Sequence, residues 1–186
     1  MPNHVAIAST VGTFRAREGD ARQLSGADQS ADAVLLLGPL YDLIDRLERA
    51  VALREARRVL RPGGLLAAAG ISRYLPVLEL GSSANVDQDR ILLASQVFDT
   101  GSYEPFLGIT NAYFHRPDEL RDEVRSAGLV DVRVLGIEGP AWMAPDAIGF
   151  EAFDRYVNSS VAIAELVETD PAVLSMSAHL FALANV

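Results

Sequence analysis

The side chains able to do chemistry in this 186-residue chain are few, and their types narrow what that chemistry is. There is no cysteine, which excludes thiolate catalysis and disulfides. The only imidazoles, His4, His115 and His179, lie too far apart in sequence to suggest a structural zinc site, and we expect no metal. What remains is a set of polar residues placed directly after apolar runs: Glu18-Gly19-Asp20-Ala21, Gly38-Pro39-Leu40-Tyr41-Asp42 and Ser72-Arg73-Tyr74. A carboxylate there accepts hydrogen bonds, and takes protons only if burial raises its pKa from about 4. A glycine there lets a ligand approach the backbone closely. Asp42, Tyr41 and His115 are the candidate catalytic groups.

These residues need a scaffold, and the hydrophobic pattern predicts one. The run from Ala31 to Gly38 is apolar throughout and bounded by turn residues, as in a strand buried on both faces of a parallel sheet. Leu43, Leu47, Ala50, Leu53, Ala56 and Leu60 recur at helical spacing over residues 41–60, and Arg61-Pro62-Gly63-Gly64 stops the helix. The next apolar run, residues 65–71, completes a βαβ unit whose crossover is expected to be right-handed. Upstream, residues 3–12 read as a short helix and TFRARE as a strand. Downstream, residues 72–116 read as a mostly helical insert, with helices over 75–80 and 88–98. Residues 115–128 form a helix opened by Pro117 and capped by Gly128, and a strand follows from Leu129. A second helical insert spans 141–177, and the last strand begins near Ser177. In this reading LRDEVR is a solvated helix face, His179 a core histidine, and Tyr41, Tyr74, Tyr113 and Trp142 either core or the wall of an aromatic site.

Composition bounds the partners. Net charge is −9, with 16 basic residues spread along the chain and no stripe of the kind a phosphate backbone needs, so nucleic acid is a poor candidate. No apolar run approaches the roughly 20 residues of a membrane-spanning helix, and no leader pattern opens the chain, so a cytoplasmic protein binding a small molecule is expected. At this length one domain, 1–186, is expected. The order of elements is an α/β plan, whose ligands bind at the carboxyl ends of the strands.

The ordered series GDARQL, ADAVLLLGPLYDL, LREARRVLRPGGLLAA, AYFHRPDELRDEVRSAGLVDVRVLGIEGP and SAHLFALA resembles the later motifs of class I S-adenosylmethionine-dependent methyltransferases, in the ubiquinone-methyltransferase-like, small-molecule branch. The resemblance implies a Rossmann-like sheet and S-adenosylmethionine as cofactor. It implies that Asp20 accepts a hydrogen bond from the adenine amine while Ala21 packs on the ring, and that Leu37, Gly38 and Pro39 lie where the methionine part meets the acceptor. Relatives usually read G-P-L-Y-H-L at the turn, so Asp42 stands where a histidine base is expected.

The resemblance also implies a first strand, a glycine-rich loop and a second strand ahead of residue 3, and this chain starts after them. The family's sheet order is 3-2-1-4-5-7-6, so the Rossmann-like sheet is expected N-terminally truncated, its first two strands absent. The strand over 31–38 then becomes an exposed edge, and a homodimer or a partner chain is expected to cover it. Two functions follow: methyl transfer to a small organic molecule, alone or as a subunit, or a retained fold without methyl transfer, acting as a cofactor-free cyclase or isomerase or as a scaffold.

Overall fold

A computed structural model describes residues 5, 14–82, 86–103, 111–143 and 153–186. Strand β1 (Ala31–Leu36) leads through the short helix α1 (Pro39–Asp42) to α2 (Arg46–Val59) and β2 (Leu60–Ser72). Helices α3 (Leu75–Ser82) and α4 (Gln88–Thr100) follow, then β3 (Ser102–Tyr103), β4 (Ala112–His115), α5 (Pro117–Ser126), β5 (Val130–Gly136), α6 (Phe153–Val167) and β6 (His179–Asn185).

The sheet is built around β2. On one side it pairs in parallel with β1, Leu36 opposite Ala68, and beyond the end of β1 with β4, Ser72 opposite His115. On the other it pairs antiparallel with β6, whose far side carries β5. The order β1-β2-β6-β5 reproduces the 4-5-7-6 half of the sheet expected above. One face carries the core: Leu66 and Ala68 of β2, with Leu180, Ala182 and Ala184 of β6, pack against Leu53 and Ala56 of α2 and Leu120 and Val124 of α5.

Local chemistry accounts for the helices. Asp45 caps α2 by accepting from Leu47 N at 2.6 Å, and Asp87 caps α4 by accepting from Arg90 N at 2.9 Å. Pro117 fits the first turn of α5, where Glu119 accepts from Arg116 N at 3.0 Å. Gly101 ends α4 at φ +78°, and a Cβ there would clash with Arg73 Nη2, so both conformation and space demand glycine.

Several expectations are corrected. TFRARE is not a strand: Phe14 and residues 15–19 are irregular, and Asp20 only forms an isolated bridge to Gln23. The helix expected over 3–12 lies outside the described residues apart from Val5, which is helical. β1 is not buried on both faces: Leu36 is 4% exposed, but Leu35 on the opposite face is 63% exposed and the strand's outer edge has no neighbour among the described residues. The helix expected over 41–60 breaks at Leu43-Ile44, and the restart at the Asp45 cap turns Leu47 to solvent and Arg49 inward. Arg61 to Gly64 does not separate helix from strand; it bulges within β2, whose pairing jumps from Leu60 to Leu65. Within 72–116, α3 and α4 are followed by β4, which joins the main sheet.

LRDEVR is not simply a solvated face. Glu123 is buried and receives Arg49 through Nε at 2.9 Å and Nη2 at 2.7 Å, while Arg49 Nη1 donates to Leu43 O at 3.0 Å and Ile44 O at 2.7 Å. Arg49 stacks 3.6 Å from the centre of the Tyr113 ring. Removing one partner of such a pair strands the other charge in the interior. Arg49→Ala is expected to lower unfolding free energy in urea by ~3–5 kcal/mol. The double change Arg49→Met with Glu123→Leu should be much milder, because it leaves no buried charge.

Candidate functional site

The carboxyl ends of β1 and β2 carry two of the polar clusters, the turn from Leu37 to Asp42 and Ser72-Arg73-Tyr74. β1 leaves the sheet opposite Ala68, and Leu37 to Asp42 wrap into a turn in which Tyr41 Oη donates to Leu37 O at 2.9 Å. A Cβ on Gly38 would stand 3.5 Å from Tyr41 Oη and 3.9 Å from an Asp42 carboxylate oxygen, so phenol and carboxylate lie over this glycine. Leu37 is 54% exposed beside them. The candidates Leu37, Gly38, Pro39, Tyr41 and Asp42 thus share one turn.

Asp20 and Ala21 belong to a tight turn. Asp20 accepts from Arg22 N at 2.8 Å and from its guanidinium at 2.7 Å, and Arg22 also reaches Glu48 in the first turn of α2. This fastens the turn at the end of α2 nearest α1. The hydrogen bonds from Arg22 hold the Asp20 carboxyl down at about 2, so it is an ionised acceptor and not a base. Ala21 packs against the core.

Ser72, the last residue of β2, and Arg73 after it are buried. Arg73 donates to Glu119 at 2.6 Å, Tyr113 Oη at 2.9 Å and Phe114 O at 3.1 Å. Tyr74 meets Phe98 edge-on at 5.9 Å, and Arg116 lies over both rings. Next to Phe98, an apolar groove of ≈ 410 Å³ runs between α3 and α4, lined by Val77, Leu80, Val86, Ile91 and Ala94. Tyr113 stacks on Arg49 and its hydroxyl accepts from Arg73, so both ends of the ring are held within the fold. The Trp142 side chain lies outside the described set.

The two described histidines lie in contrasting environments. His115 is fully buried: its ring meets Tyr113 at 4.7 Å, Nε2 is 3.4 Å from Glu123, and Nδ1 has no partner. Burial depresses its pKa and keeps it neutral. His179 is not a core residue. Its side chain is 44% exposed, with Nδ1 2.5 Å from Glu138 Oε1. Glu138 Oε2 accepts from His179 N at 2.9 Å and Ser177 Oγ at 2.8 Å. The hydrogen bond to Glu138 raises the His179 pKa; burial opposes ionisation of Glu138, but its hydrogen bonds outweigh that and lower its pKa. Ser72-Arg73-Tyr74 was singled out from the sequence, but the pairings of Arg49, Glu123 and Glu138 were not, because a charged residue on an amphipathic pattern carries no sign of its partner. Among the described residues no group of side chains is arranged to hold a metal ion, and no helix is long and apolar enough to cross a membrane.

The raised imidazole fixes a pH dependence. His179 stabilises the fold fully below the free value of about 6.5, and that contribution is lost as pH rises through the higher folded value. His179→Gln is therefore expected to flatten the fall in the urea midpoint from about pH 6.5 upward, measured against the parent chain.

Residues 2–68 match a family described as a methyltransferase domain. No curated protein sequence matches the chain. Among solved structures, a Thermotoga maritima S-adenosylmethionine-dependent methyltransferase, described as a possible histamine N-methyltransferase, aligns over 98% of this chain and 69% of its own at 22% identity, TM-score 0.57. A Methanosarcina mazei S-adenosylmethionine-dependent methyltransferase aligns over 97% and 74% at 16% identity, TM-score 0.54. The structure of the complex between the Haloferax volcanii Trm112 methyltransferase activator and a methyltransferase aligns over 99% and 68% at 19% identity, TM-score 0.54. The chain thus has the Rossmann-like fold of the S-adenosylmethionine-dependent methyltransferases, and over residues 2–68 it matches their methyltransferase domain.

Proposed function

We propose that this chain is an S-adenosylmethionine-dependent methyltransferase, or a subunit of one, acting on a small organic molecule. The observation that carries the reading is the overlap of the matched stretch, residues 2–68, with the turns that hold Asp20 and Gly38. The residues present fit the adenine and methionine parts of the cofactor. The Asp20 carboxylate is exposed and ionised, and a Cβ on its neighbour Gly19 would meet nothing within 4 Å. Ala21 offers a small apolar surface, while Leu37, Gly38 and Pro39 offer an exposed apolar side chain and close access to backbone. When bound, the cofactor supplies an electrophilic methyl group on a sulfonium sulfur.

The protein's own part is to bind, orient and exclude water, where proximity can account for most of the acceleration. Tyr41 and Asp42, over Gly38, orient the acceptor. The apolar groove between α3 and α4, beside Tyr74 and Phe98, offers room for its hydrocarbon part. The open edge of β1, with Leu35 and Leu37 exposed, takes a second chain, either another copy or an activator of the kind seen with the Haloferax volcanii neighbour.

Isothermal titration with S-adenosylhomocysteine is expected to give a dissociation constant below about 1 mM. Asp20→Ala should weaken it by roughly 10- to 100-fold, the loss of one charge-assisted hydrogen bond. Affinity weaker than millimolar for the parent chain, alone and after mixing with any chain that copurifies, would favour a fold retained without methyl transfer.

A further inference from the structure

We propose that His179, held by Glu138, is the general base that takes the proton from a phenol-like hydroxyl on the methyl acceptor. The inference rests on the methyltransferase reading and adds a residue and a substrate class to it.

Position comes first. β6 enters the sheet with His179 opposite Ile71, one residue before β2 ends at Ser72. The imidazole therefore stands at the carboxyl end of the parallel strands, where α/β sheets bind ligands. The turn over Gly38 and His179 flank β2 on opposite sides, two strand spacings or about 10 Å apart, a span that an aromatic ring bridges.

Orientation comes second. Glu138 Oε2 is fixed by His179 N and Ser177 Oγ, and Ser177 Oγ is itself fixed by Glu138 N at 2.9 Å and Gly139 N at 3.2 Å. Oε1 is thereby aimed at Nδ1, and an ionised carboxylate there requires the proton on Nδ1. The lone pair of neutral His179 is then on Nε2, which has no hydrogen-bond partner among the described residues, on a half-exposed ring. Glu138 and Ser177 are the polar side chains that reach this cluster. Buried His115 has the opposite arrangement and cannot serve: its ring is fully buried against Tyr113 and Glu123.

Chemistry selects the acceptor. An imidazole made more basic by a carboxylate is a fit base for a phenol, whose hydroxyl titrates near 10, and a poor one for the far less acidic aliphatic alcohol. The acceptor O–H bond breaks and its proton goes to Nε2, leaving an imidazolium beside the Glu138 carboxylate. The electron pair left on oxygen forms the O–C bond to the methyl group, and the sulfur keeps the pair of the broken C–S bond and ends as a neutral thioether. Glu138 is a positioning residue.

The test uses the full chain with saturating S-adenosylhomocysteine and catechol as the phenolic probe. Nitrogen-15 NMR of the imidazoles should show His179 as the Nδ1–H tautomer, with catechol shifting its Nε2 resonance. Glu138→Gln should erase the tautomer preference. With S-adenosylmethionine, His179→Gln should cut kcat for catechol by roughly 10²- to 10⁴-fold with S-adenosylhomocysteine affinity unchanged, and abolish the acid limb of the pH profile. Glu138→Gln should move that limb to lower pH. Absence of S-adenosylhomocysteine binding overturns the methyltransferase reading and this inference with it. Binding of S-adenosylhomocysteine with an Nε2–H tautomer, with no effect of catechol on Nε2, or with no loss of turnover in His179→Gln overturns the base alone.

Discussion

Arg49 is the residue through which α1, α2 and α5 are held in register. Its guanidinium has five donors, and the structure uses them on two elements: the Glu123 carboxylate of α5 and the carbonyls of Leu43 and Ile44 between α1 and α2. Those carbonyls are freed because α1 stops after a single turn, and without a donor they would be costly in so enclosed a place. Desolvating the ion pair has its own cost, which packing alone would avoid. What hydrocarbon in its place could not do is bond two carbonyls and a carboxylate in one plane while stacking on Tyr113. The angle at which the Tyr41-Asp42 turn leaves β1 depends on that bonding.

From Arg49 the connection runs to the end of β2. Tyr113 is stacked on Arg49, its hydroxyl accepts from Arg73, and Arg73 also bonds Glu119 at the start of α5. Arg73 N donates to His115 O at 2.8 Å, which closes the short parallel contact between β2 and β4. A two-residue pairing is weak by itself, and this polar cluster is what keeps β4 against the sheet. Gly101 belongs to the same arrangement, since any side chain there would displace the Arg73 guanidinium. The open side of the molecule is β1, where the sheet's second face and outer edge both present apolar side chains and unpaired backbone, a surface suited to association.

Much of this was legible in the residues, for reasons that differ by element. β2, β5, β6, α4 and α5 follow from apolar runs, caps and terminal glycines that act within a few residues of themselves. The 4-5-7-6 strand order came from the resemblance, since nothing local states which strand neighbours which. β1 was misread because its run of Val34, Leu35, Leu36 and Leu37 is what a doubly covered strand shows, and a pattern does not say whether the cover is there. TFRARE alternates like a strand, but an alternating stretch becomes one only where an edge accepts it. Leu47 fitted the helical spacing of its neighbours until the Asp45 cap reset the phase. In each case the deciding contact is distant in sequence.

The two histidines show why site residues are harder to read than folds. His115 stands before a proline-opened helix in a polar context, HRPDEL, yet β4 carries it into the interior beneath Gly70, where a Cβ would stand 3.2 Å from its Nδ1. His179 stands in an apolar run, LFALA following it, yet it is the first residue of β6 and points to the less covered face. Alternation along β6 decides this: Leu180, Ala182 and Ala184 face α2 and α5, so His179 faces away with Phe181 and Leu183. Once there, its chemistry is set by Glu138, which lies beyond β5 and reaches it only because β5 and β6 are antiparallel neighbours. Burial makes one imidazole an inert, neutral packing group. A carboxylate behind the other raises its pKa and holds it half-exposed at the end of the sheet.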